Sequence, residues 1–258
     1  MNMLRVMTFN VRQPDMDDGE NCWQNRRGLL VDTILSKQPD VIGTQELFQT
    51  QAEYIQERAP HYDWFGIGRY GTHEDKHVGI FYKKDRFRIL SHGDLWLSET
   101  PEKPGSSSWN IIKPRQLTWG MLQSNDMESF YVFNTHFPYR AVEQEARLKT
   151  AQLIKERIRR LPSECPVILT TDANSVAGGD IYHLMCEDLF DAWKTAWVQT
   201  GPEGTLNGFG RHRSDRRIDW ILYRSSWRVL DIETVIDHIN GRYPSDHFPV
   251  MATFEVQP

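Results

Sequence analysis

Cysteine is scarce in this chain. Cys22, Cys165 and Cys186 are odd in number and lack metal-site spacing, which argues against a disulfide framework and a cysteine-based zinc site. Long apolar runs are also missing, since none approaches the roughly 20 residues that a membrane span needs. The residues from Met1 to Arg5 enter a strand pattern without an apolar leader, so we expect no signal peptide and no membrane contact. Free thiols then predict a cytoplasmic protein.

A strong charge of one sign is lacking as well. The formal net charge is −5, so the chain as a whole has no attraction for polyanions. A nucleic-acid substrate is therefore not required, although a local basic cleft would suffice to bind one. Without repeats, low-complexity tracts or composition shifts, residues 1–258 predict a single domain, which we expect to be a monomer. No serine or cysteine lies in a recognisable nucleophile elbow, which argues against a metal-free hydrolase.

The chain instead alternates short apolar strands with a few helices. Trp23 to Lys37 carries apolar residues at helical spacing. Gly79 to Tyr82 and Phe87 to Leu97 predict one hairpin, while Leu117 to Gln123 and Ser129 to His136 predict another. This mixture predicts an α+β protein with mostly antiparallel sheets, packed face to face and covered by helices.

Six polar clusters lie at or near the ends of predicted strands. They are Thr8-Phe9-Asn10, Gln45-Glu46, Asn134-Thr135-His136, Asp172-Ala173-Asn174, Arg217-Ile218-Asp219-Trp220 and Ser245-Asp246-His247. Because buried polar groups without partners cost free energy, this repetition indicates one shared polar site. Hard oxygen ligands with histidines and no cysteine suit Mg²⁺-assisted hydrolysis of a phosphate ester, with Mn²⁺ as a substitute ion.

The first two clusters are candidates for the metal site. An isolated glutamate such as Glu46 more often faces solvent, but Asn10 stands among apolar residues in a strand, where asparagine is disfavoured. Mg²⁺ is commonly held by one or two carboxylates, with water and substrate phosphate as further ligands. We therefore predict Glu46 as a direct ligand with Asn10 close by.

Asp172 and Asn174 follow an apolar strand and have two interpretations. Both residues favour turns, so one interpretation of the segment is a simple turn. Alternatively, Asp172 is the general base that activates water, and Asn174 holds the phosphate or the water. A spacing of two directs both side chains to one side if the segment stays extended.

Asp219 is the predicted partner of His247. Asp246 adjoins His247 on an extended segment, so their side chains should point to opposite sides. Asp219 lies within an apolar strand and needs a partner if it is buried. Pairing the two favours a charged imidazolium and leaves Asp246 free to approach a metal ion.

Further candidates are less specific. His136 ends an apolar strand, where a lone histidine is more often structural, and Arg115 is either a surface cation or a substrate-phosphate contact. The run His73-Glu74-Asp75-Lys76-His77 looks like a metal cluster, but its lysine and preceding glycine-rich loop favour a solvated loop. Arg211-His212-Arg213 with Arg216-Arg217 is either a solvated loop or a phosphate clamp near Asp219.

Taken together, the six clusters resemble those of the endonuclease/exonuclease/phosphatase superfamily, which includes pancreatic deoxyribonuclease, abasic-site endonucleases, deadenylases and inositol polyphosphate 5-phosphatases. The resemblance rests on their order, their strand-end placement and the final Ser245-Asp246-His247 before Pro249-Val250. It spans almost the whole chain. It implies a deoxyribonuclease-like four-layer α/β/β/α sandwich with a divalent-metal site at one edge of the two sheets.

The resemblance also implies a role for each cluster. Asn10 and Glu46 would bind the metal, with Asp246 nearby, and His136 would contact the scissile phosphate. Asp172 and Asn174 would position and activate the attacking water, and Asp219 would orient His247. The chain departs from the family where relatives carry a glutamate that supports the first histidine. Here the stretch is Asp75-Lys76-His77-Val78, so Glu74 or Asp75 would have to replace that glutamate as the partner of His136.

The sequence signal for a particular branch of the family is less specific. The motifs of the 5-phosphatases are missing, whereas Pro114 to Trp119 and Thr205 to Phe209 resemble compact bacterial members distantly similar to the deadenylase and nocturnin branch. We expect a phosphodiesterase or exonuclease acting on a small or single-stranded nucleotide-type substrate, which Trp109 and Phe209 could stack. Alternatives are a DNA endonuclease of abasic-site repair, a lipid or sugar phosphodiesterase, and a catalytically silent binding module.

Overall fold

A computed structural model describes residues 2–211 and 215–256, which form two β-sheets and five α-helices. The strands are β1 (Asn2–Asn10), β2 (Val41–Gln45), β3 (Tyr62–Phe65), β4 (Ile80–Lys83), β5 (Arg88–Trp96), β6 (Gln116–Gln123), β7 (Phe130–His136), β8 (Val167–Asp172), β9 (Phe190–Asp191), β10 (Val198–Thr200), β11 (Asp219–Arg224), β12 (Arg228–Thr234) and β13 (Val250–Val256). The helices are α1 (Trp23–Lys37), α2 (Gln49–Arg58), α3 (Gln144–Arg159), α4 (Asp180–Cys186) and α5 (Ala192–Thr195). Among these residues, no helix combines the length and apolarity needed to cross a membrane.

The two sheets are mixed but mainly antiparallel. One has seven strands in the order β10-β12-β13-β1-β2-β4-β3, and the other has six in the order β5-β6-β7-β8-β11-β9. The parallel pairs are β1 with β2, β7 with β8, and β10 with β12, and the remaining neighbours are antiparallel. Two of the parallel pairs lie near the middle of their sheets. The carboxyl ends of β1 and β2 therefore lie together in one sheet and those of β7 and β8 in the other, and the hydrogen bond from Asn10 to Asp172 joins the two sets.

Three apolar cores define four layers. The core between the sheets includes Val6 and Phe254 from one sheet and Val132 from the other. A second core packs α1 and α2 on the seven-stranded sheet, and a third packs α3 and α4 on the six-stranded sheet. The predicted α/β/β/α sandwich is confirmed. Helix α1 also has the predicted bounds, because Leu30 and Ile34 are buried on one face and Gln38 ends the helix in a left-handed conformation.

The predicted hairpin of Gly79 to Tyr82 with Phe87 to Leu97 is wrong. Strand β4 is flanked by β2 and β3, whereas β5 pairs with β6 in the opposite sheet. The chain changes sheets around Arg86, whose guanidinium contacts Asp40 at 2.6 Å and Asp126 at 3.2 Å. Both edges of β4 are thus occupied, and strand β3, which the sequence pattern did not indicate, takes the place expected for β5. The second predicted hairpin, β6 with β7, is present.

Asn134 joins the two sheets near the edge where the strands end. Its side-chain amide donates to the carbonyl groups of Thr44 (2.7 Å) and Gly79 (3.0 Å), which belong to the opposite sheet. Its Oδ1 accepts from Gln45 Nε2 at 2.8 Å and from Thr170 Oγ1 at 3.0 Å. Satisfied polar networks in a buried environment fix one arrangement of the elements that they join. Close approach requires Gly43, where a Cβ atom would lie 1.9 Å from Thr170 Oγ1.

We expect Gly43→Ala to lower the free energy of unfolding by roughly 1–3 kcal/mol, because the added methyl group overpacks this contact. Gly28→Ala is the matched control, since a Cβ at this position in α1 meets nothing within 4 Å. It should raise stability by about 0.5–1 kcal/mol through helix propensity. Urea unfolding measures both. Equal effects of the two substitutions would contradict the close contact at Gly43.

Candidate active site

The sequence-predicted site residues come together at one edge of the sandwich. A cleft of about 620 Å³ is lined by Asn10, Glu46, Arg115, His136, Asp172, Asn174, Asp246 and His247, and Asp219 lies directly behind His247. The cleft opens at the ends of β1, β2, β7 and β8. Residues far apart in the chain therefore form one polar site, as their strand-end positions predicted.

Asp172 lies at the centre of the cleft. Its Oδ2 accepts a hydrogen bond from Asn10 Nδ2 at 2.9 Å, and its Oδ1 accepts from the backbone N–H of Asn174 at 3.0 Å. Burial, followed by the charge of Asp219, raises the pKa of Asp172 to about 7. Asn174 adopts a left-handed φ of 47°, so the segment is a turn and also belongs to the polar site. A carboxylate with a pKa near neutrality suits a general base.

The predicted pairing of Asp219 with His247 is present. His247 Nδ1 lies 2.9 Å from Asp219 Oδ2, and both groups are buried. Burial opposes the charge on His247, but the carboxylates of Asp219 and Asp172 outweigh it and raise the pKa of His247 well above its ordinary value. Thr205, whose role the sequence did not reveal, accepts with Oγ1 from the backbone N–H of Ile218 and Asp219. It therefore holds the start of β11 in place.

The pKa of His136 is shifted in the opposite direction. Burial first, and then the charges of Arg115 and Lys76, lower the pKa of His136 well below its ordinary value. Its Nε2 accepts from Asn174 Nδ2 at 2.9 Å, and the same amide group donates to the carbonyl of Phe137 at 3.1 Å. Asn174 is thus the hydrogen-bond partner of His136, and Asp172 Oδ2 lies 3.3 Å from the same Nε2. Neither Glu74 nor Asp75 fills that position.

The candidate metal ligands face the same cleft. Glu46 follows β2 with a left-handed φ of 60°, and its Oε2 accepts from the backbone N–H of Gln13 at 3.2 Å and from Lys76 Nζ at 3.1 Å. Burial opposes its ionisation, but Lys76 and the Gln13 N–H group lower the pKa of Glu46. Asp246 lies 3.3 Å from Arg12. Two carboxylates with the amide of Asn10 are an oxygen donor set that fits Mg²⁺.

A second group of potential ligand atoms lies deeper. Atoms of Asp172, Asp219 and His247 are all within 4.8 Å of one another. Nδ1 of His247 is already bonded to Asp219, and a cation here would oppose the charged imidazolium. One oxygen, Asp219 Oδ1, is buried without a hydrogen-bond partner. The oxygen set of Glu46, Asp246 and Asn10 is the better match for a hard divalent ion.

Arg26 supports the cleft from beneath and was missed in the sequence. It is fully buried and donates to the carbonyl groups of Val11 (2.7 Å), Arg12 (2.7 Å) and Pro244 (2.9 Å). Arg26 thereby joins the segments that carry Asn10 and Asp246. Its position on the apolar face of α1, three residues after Trp23 and four before Leu30, was the signal that could have identified it.

The solvated-loop interpretation of the segment from His73 to His77 holds for His73 and Glu74, which are exposed, and is wrong for Asp75, Lys76 and His77. His77 is fully buried, and its Nδ1 lies 3.1 Å from the carbonyl of Leu47, next to Glu46. Lys76 pairs with Glu46, and Asp75 pairs with Arg69 at 3.2 Å. The segment forms a wall of the cleft because its charges find partners that are distant in sequence. Sequence reasoning therefore missed Arg69 and Lys76 as site residues.

The prediction of a phosphate clamp before Asp219 is also wrong as far as Arg217 is concerned, because this residue does not line the cleft. Its guanidinium is buried against Asp191 at 2.6 Å, on the side of α5, and takes no part in the cleft. His212 and Arg213 lie outside the described residues. Neither Trp109 nor Phe209 lines the cleft, and Phe209 instead lies 5.9 Å from the Arg26 guanidinium. The aromatic side chains at the cleft are Phe48 and Tyr139.

Comparison with known proteins agrees with this geometry. The model of the endonuclease/exonuclease/phosphatase family matches residues 7–247. A protein named mannosyl-6-phosphatase from Bacteroides thetaiotaomicron is 31% identical, with a TM-score of 0.92 over 98% of this chain and 99% of that chain. A family member from Bacteroides vulgatus is 29% identical, with a TM-score of 0.93 over 100% of both chains. The human Nocturnin catalytic domain, at 18% identity over 99% and 94% of the chains and a TM-score of 0.78, shares the fold.

The opposite pKa shifts of the two histidines predict distinct signals in nitrogen-15 NMR of the imidazole rings. At pH 6.5 in EDTA, His247 should be protonated because its pKa lies well above this value, whereas His136 should be neutral because its pKa lies well below. Asp219→Asn should lower the His247 pKa, since it removes a neighbouring negative charge. His247→Gln assigns the signal. A neutral His247 in the unmodified protein would contradict the pairing.

Proposed function

Because the chain belongs to the endonuclease/exonuclease/phosphatase family, we propose that it is a divalent-metal-dependent hydrolase of phosphate esters that directs water onto phosphorus. Family membership makes it a phosphoesterase-type protein. The observation that carries the proposal is the position of Asp172, which has a pKa of about 7, is bonded to Asn10 and Asn174, and lies beside His136 and the Asp219–His247 pair.

In the proposed mechanism, Asp172 accepts a proton from the attacking water as the water oxygen bonds to phosphorus. The bond between phosphorus and the ester oxygen breaks, and the leaving alcohol takes up a proton from solvent. Asn174 holds the water or a phosphate oxygen, and neutral His136 contacts the scissile phosphate. The imidazolium of His247, oriented by Asp219, stabilises the negative charge that develops on the phosphate oxygens. Mg²⁺ or Mn²⁺ would be held by Glu46 with Asn10 and Asp246 nearby, and would supply Lewis-acid polarisation of a phosphoryl oxygen.

The proposed substrate is small or single-stranded. The cleft volume of about 620 Å³ suits a nucleotide-sized molecule, and Tyr139, which is 64% exposed at the cleft, offers a ring on which a base or a sugar can stack. A phosphodiester of the nucleotide type is the sequence-based prediction. A phosphomonoester of a small polar molecule is the second candidate, because of the mannosyl-6-phosphatase relative and the cations described in the next section.

We further propose a monomeric, single-domain enzyme of the cytoplasm. Support comes from the site being built within one chain and from the three cysteines, which are all free thiols. Nucleic acid is a candidate partner but is not required.

The first functional prediction concerns the metal. Activity should require Mg²⁺ or Mn²⁺ and be abolished by EDTA, and Glu46→Gln should raise the Mg²⁺ concentration for half-maximal activity about tenfold or more, because it removes the charge of the principal ligand. Substrates to compare are p-nitrophenyl phosphate, bis-p-nitrophenyl phosphate, oligo(A) and an abasic duplex. Glu53→Gln, an exposed change in α2, is the control. An unchanged metal titration in Glu46→Gln would remove the assignment, and the absence of metal-dependent turnover on any substrate would favour a binding module.

The second concerns the pair behind the cleft. Asp219→Asn and His247→Ala should each lower kcat by roughly 10²-fold or more, in line with electrostatic and acid–base contributions. The double variant should be little worse than the poorer single variant, because groups that act as a unit lose their function together. Asp237→Asn, whose side chain is 47% exposed, is the control. Losses that multiply would show that the two residues act independently.

A further inference from the structure

A recess beside the proposed metal carboxylate contains three cationic side chains. Arg69, Lys76 and Arg115 line it together with Glu46 and His136. Arg69 and Lys76 come from the segment before β4, and Arg115 directly precedes β6. The recess opens into the cleft, since the same five residues also line the larger cavity. Three positive charges thus surround a position next to the proposed reaction centre.

The recess has more positive charge than its carboxylates balance. Asp75 lies 3.2 Å from Arg69, and Glu46 lies 3.1 Å from Lys76. Arg115 is only 7% exposed, yet within residues 2–211 and 215–256 no carboxylate lies within 4 Å of it. A buried charge without a partner is costly, so an unpaired guanidinium at a cleft indicates a site for an anion.

Contacts within the protein leave the Arg115 guanidinium largely unused. Its hydrogen bond to the carbonyl of His136 is long, at 3.4 Å. Its contact with the Tyr139 ring, at 5.9 Å, involves a ring that is 64% exposed, where such a contact is weak. Burial, followed by the charge of Arg69, lowers the pKa of Arg115 to about 10, which reflects both the desolvation and the crowding of cations.

The recess is also held in a fixed geometry. The backbone N–H of Arg69 donates to the carbonyl of Lys76 at 3.0 Å, and the carbonyl of Arg69 accepts from Trp96 Nε1 at 2.6 Å. The carbonyl of Arg115 accepts from the N–H of Leu97 at 2.8 Å. These contacts fix the main chain from which the two arginines extend, and the two residues themselves are 8% and 7% exposed, so little freedom is left to be lost on binding.

We propose that Arg69, Lys76 and Arg115 form an anion subsite for the non-bridging oxygens of a terminal, doubly charged phosphate, so that the enzyme prefers phosphomonoesters to phosphodiesters. This inference rests on the proposed function, whose reaction centre it extends. A terminal phosphate offers three oxygens and two negative charges, whereas a diester offers two oxygens and one. Guanidinium groups match such oxygens through paired N–H donors. Lys76 is paired with Glu46, and its charge would face the phosphate if Glu46 held a metal ion.

The test measures binding and turnover separately. Binding of inorganic phosphate by calorimetry, in the presence of Mg²⁺, should weaken about tenfold or more in Arg115→Gln and in Arg69→Gln. For both variants kcat/KM for p-nitrophenyl phosphate should fall about 10²-fold, while that for bis-p-nitrophenyl phosphate should change by less than about threefold. Arg58→Gln, an exposed change at the end of α2, is the matched control and should leave all three values unchanged. Thermal melts check that each variant is folded.

Three results would overturn the subsite: unchanged phosphate affinity in both variants, equal losses on monoester and diester, and a preference of the unmodified enzyme for the diester. Phosphate binding does not depend on turnover. If the unmodified protein binds phosphate through these residues but hydrolyses neither ester, the subsite stands and the proposed hydrolysis fails. Having two variants keeps the inference testable if one of them does not fold.

Discussion

The hydrogen bonds of Asn134 determine how the two sheets meet, and the cleft depends on that junction. The network residues Thr8, Asn134 and Thr170 each precede a cleft residue by two positions, namely Asn10, His136 and Asp172. Side chains two apart on a strand point to the same side. The polar side chains that hold the sheets together therefore lie directly below those that face the cleft. The positions of the cleft residues are thus set by how the two sheets are joined.

Opposite charges are arranged in layers around Asp172. On one side, the charge of Asp219 raises the pKa of His247 against the effect of burial, whereas on the other side burial, together with Arg115, Lys76 and Arg69, lowers the pKa of His136. Two imidazoles in one cleft thus differ in protonation because their neighbours differ in charge. The pKa of Asp172, which lies between them, is raised by burial and by Asp219, and is lowered by His247 and by the N–H donors of Asn10 and Asn174.

The alternation of strands and helices predicted two packed sheets covered by helices, and the resemblance to the family implied the four-layer sandwich. The polar residues at strand ends indicated Asn10, Glu46, His136, Asp172 and His247 as residues of one site. Local pattern could not tell which sheet a strand joins, so β4 and β5 were paired wrongly: the ion pairs of Arg86 with Asp40 and Asp126 connect residues 46 and 40 positions apart. The same limit applies to Asp75 and Lys76, which look solvated until Arg69 and Glu46 are brought beside them. Arg26 was missed because a buried arginine bonded to carbonyl groups has no carboxylate partner to suggest its position.

The pairing of β1 with β13 has a consequence for the order of assembly. Strand β1 is central in its sheet, with β2 on one side and β13 on the other, and Asn2 pairs with Val256. Asp246 and His247 lie shortly before β13. Ser245 Oγ donates to the carbonyl of Asn10, and Arg26 donates to the carbonyl groups of Val11 and Pro244, so this segment is held against the end of β1. During synthesis from the amino terminus, one edge of β1 therefore has no strand to pair with until β13 has been made. A nascent chain that ends before Ser245 has Glu46, His136 and Asp172 but neither Asp246 nor His247, so the residues of the candidate site come together only after the segment before β13 has been made.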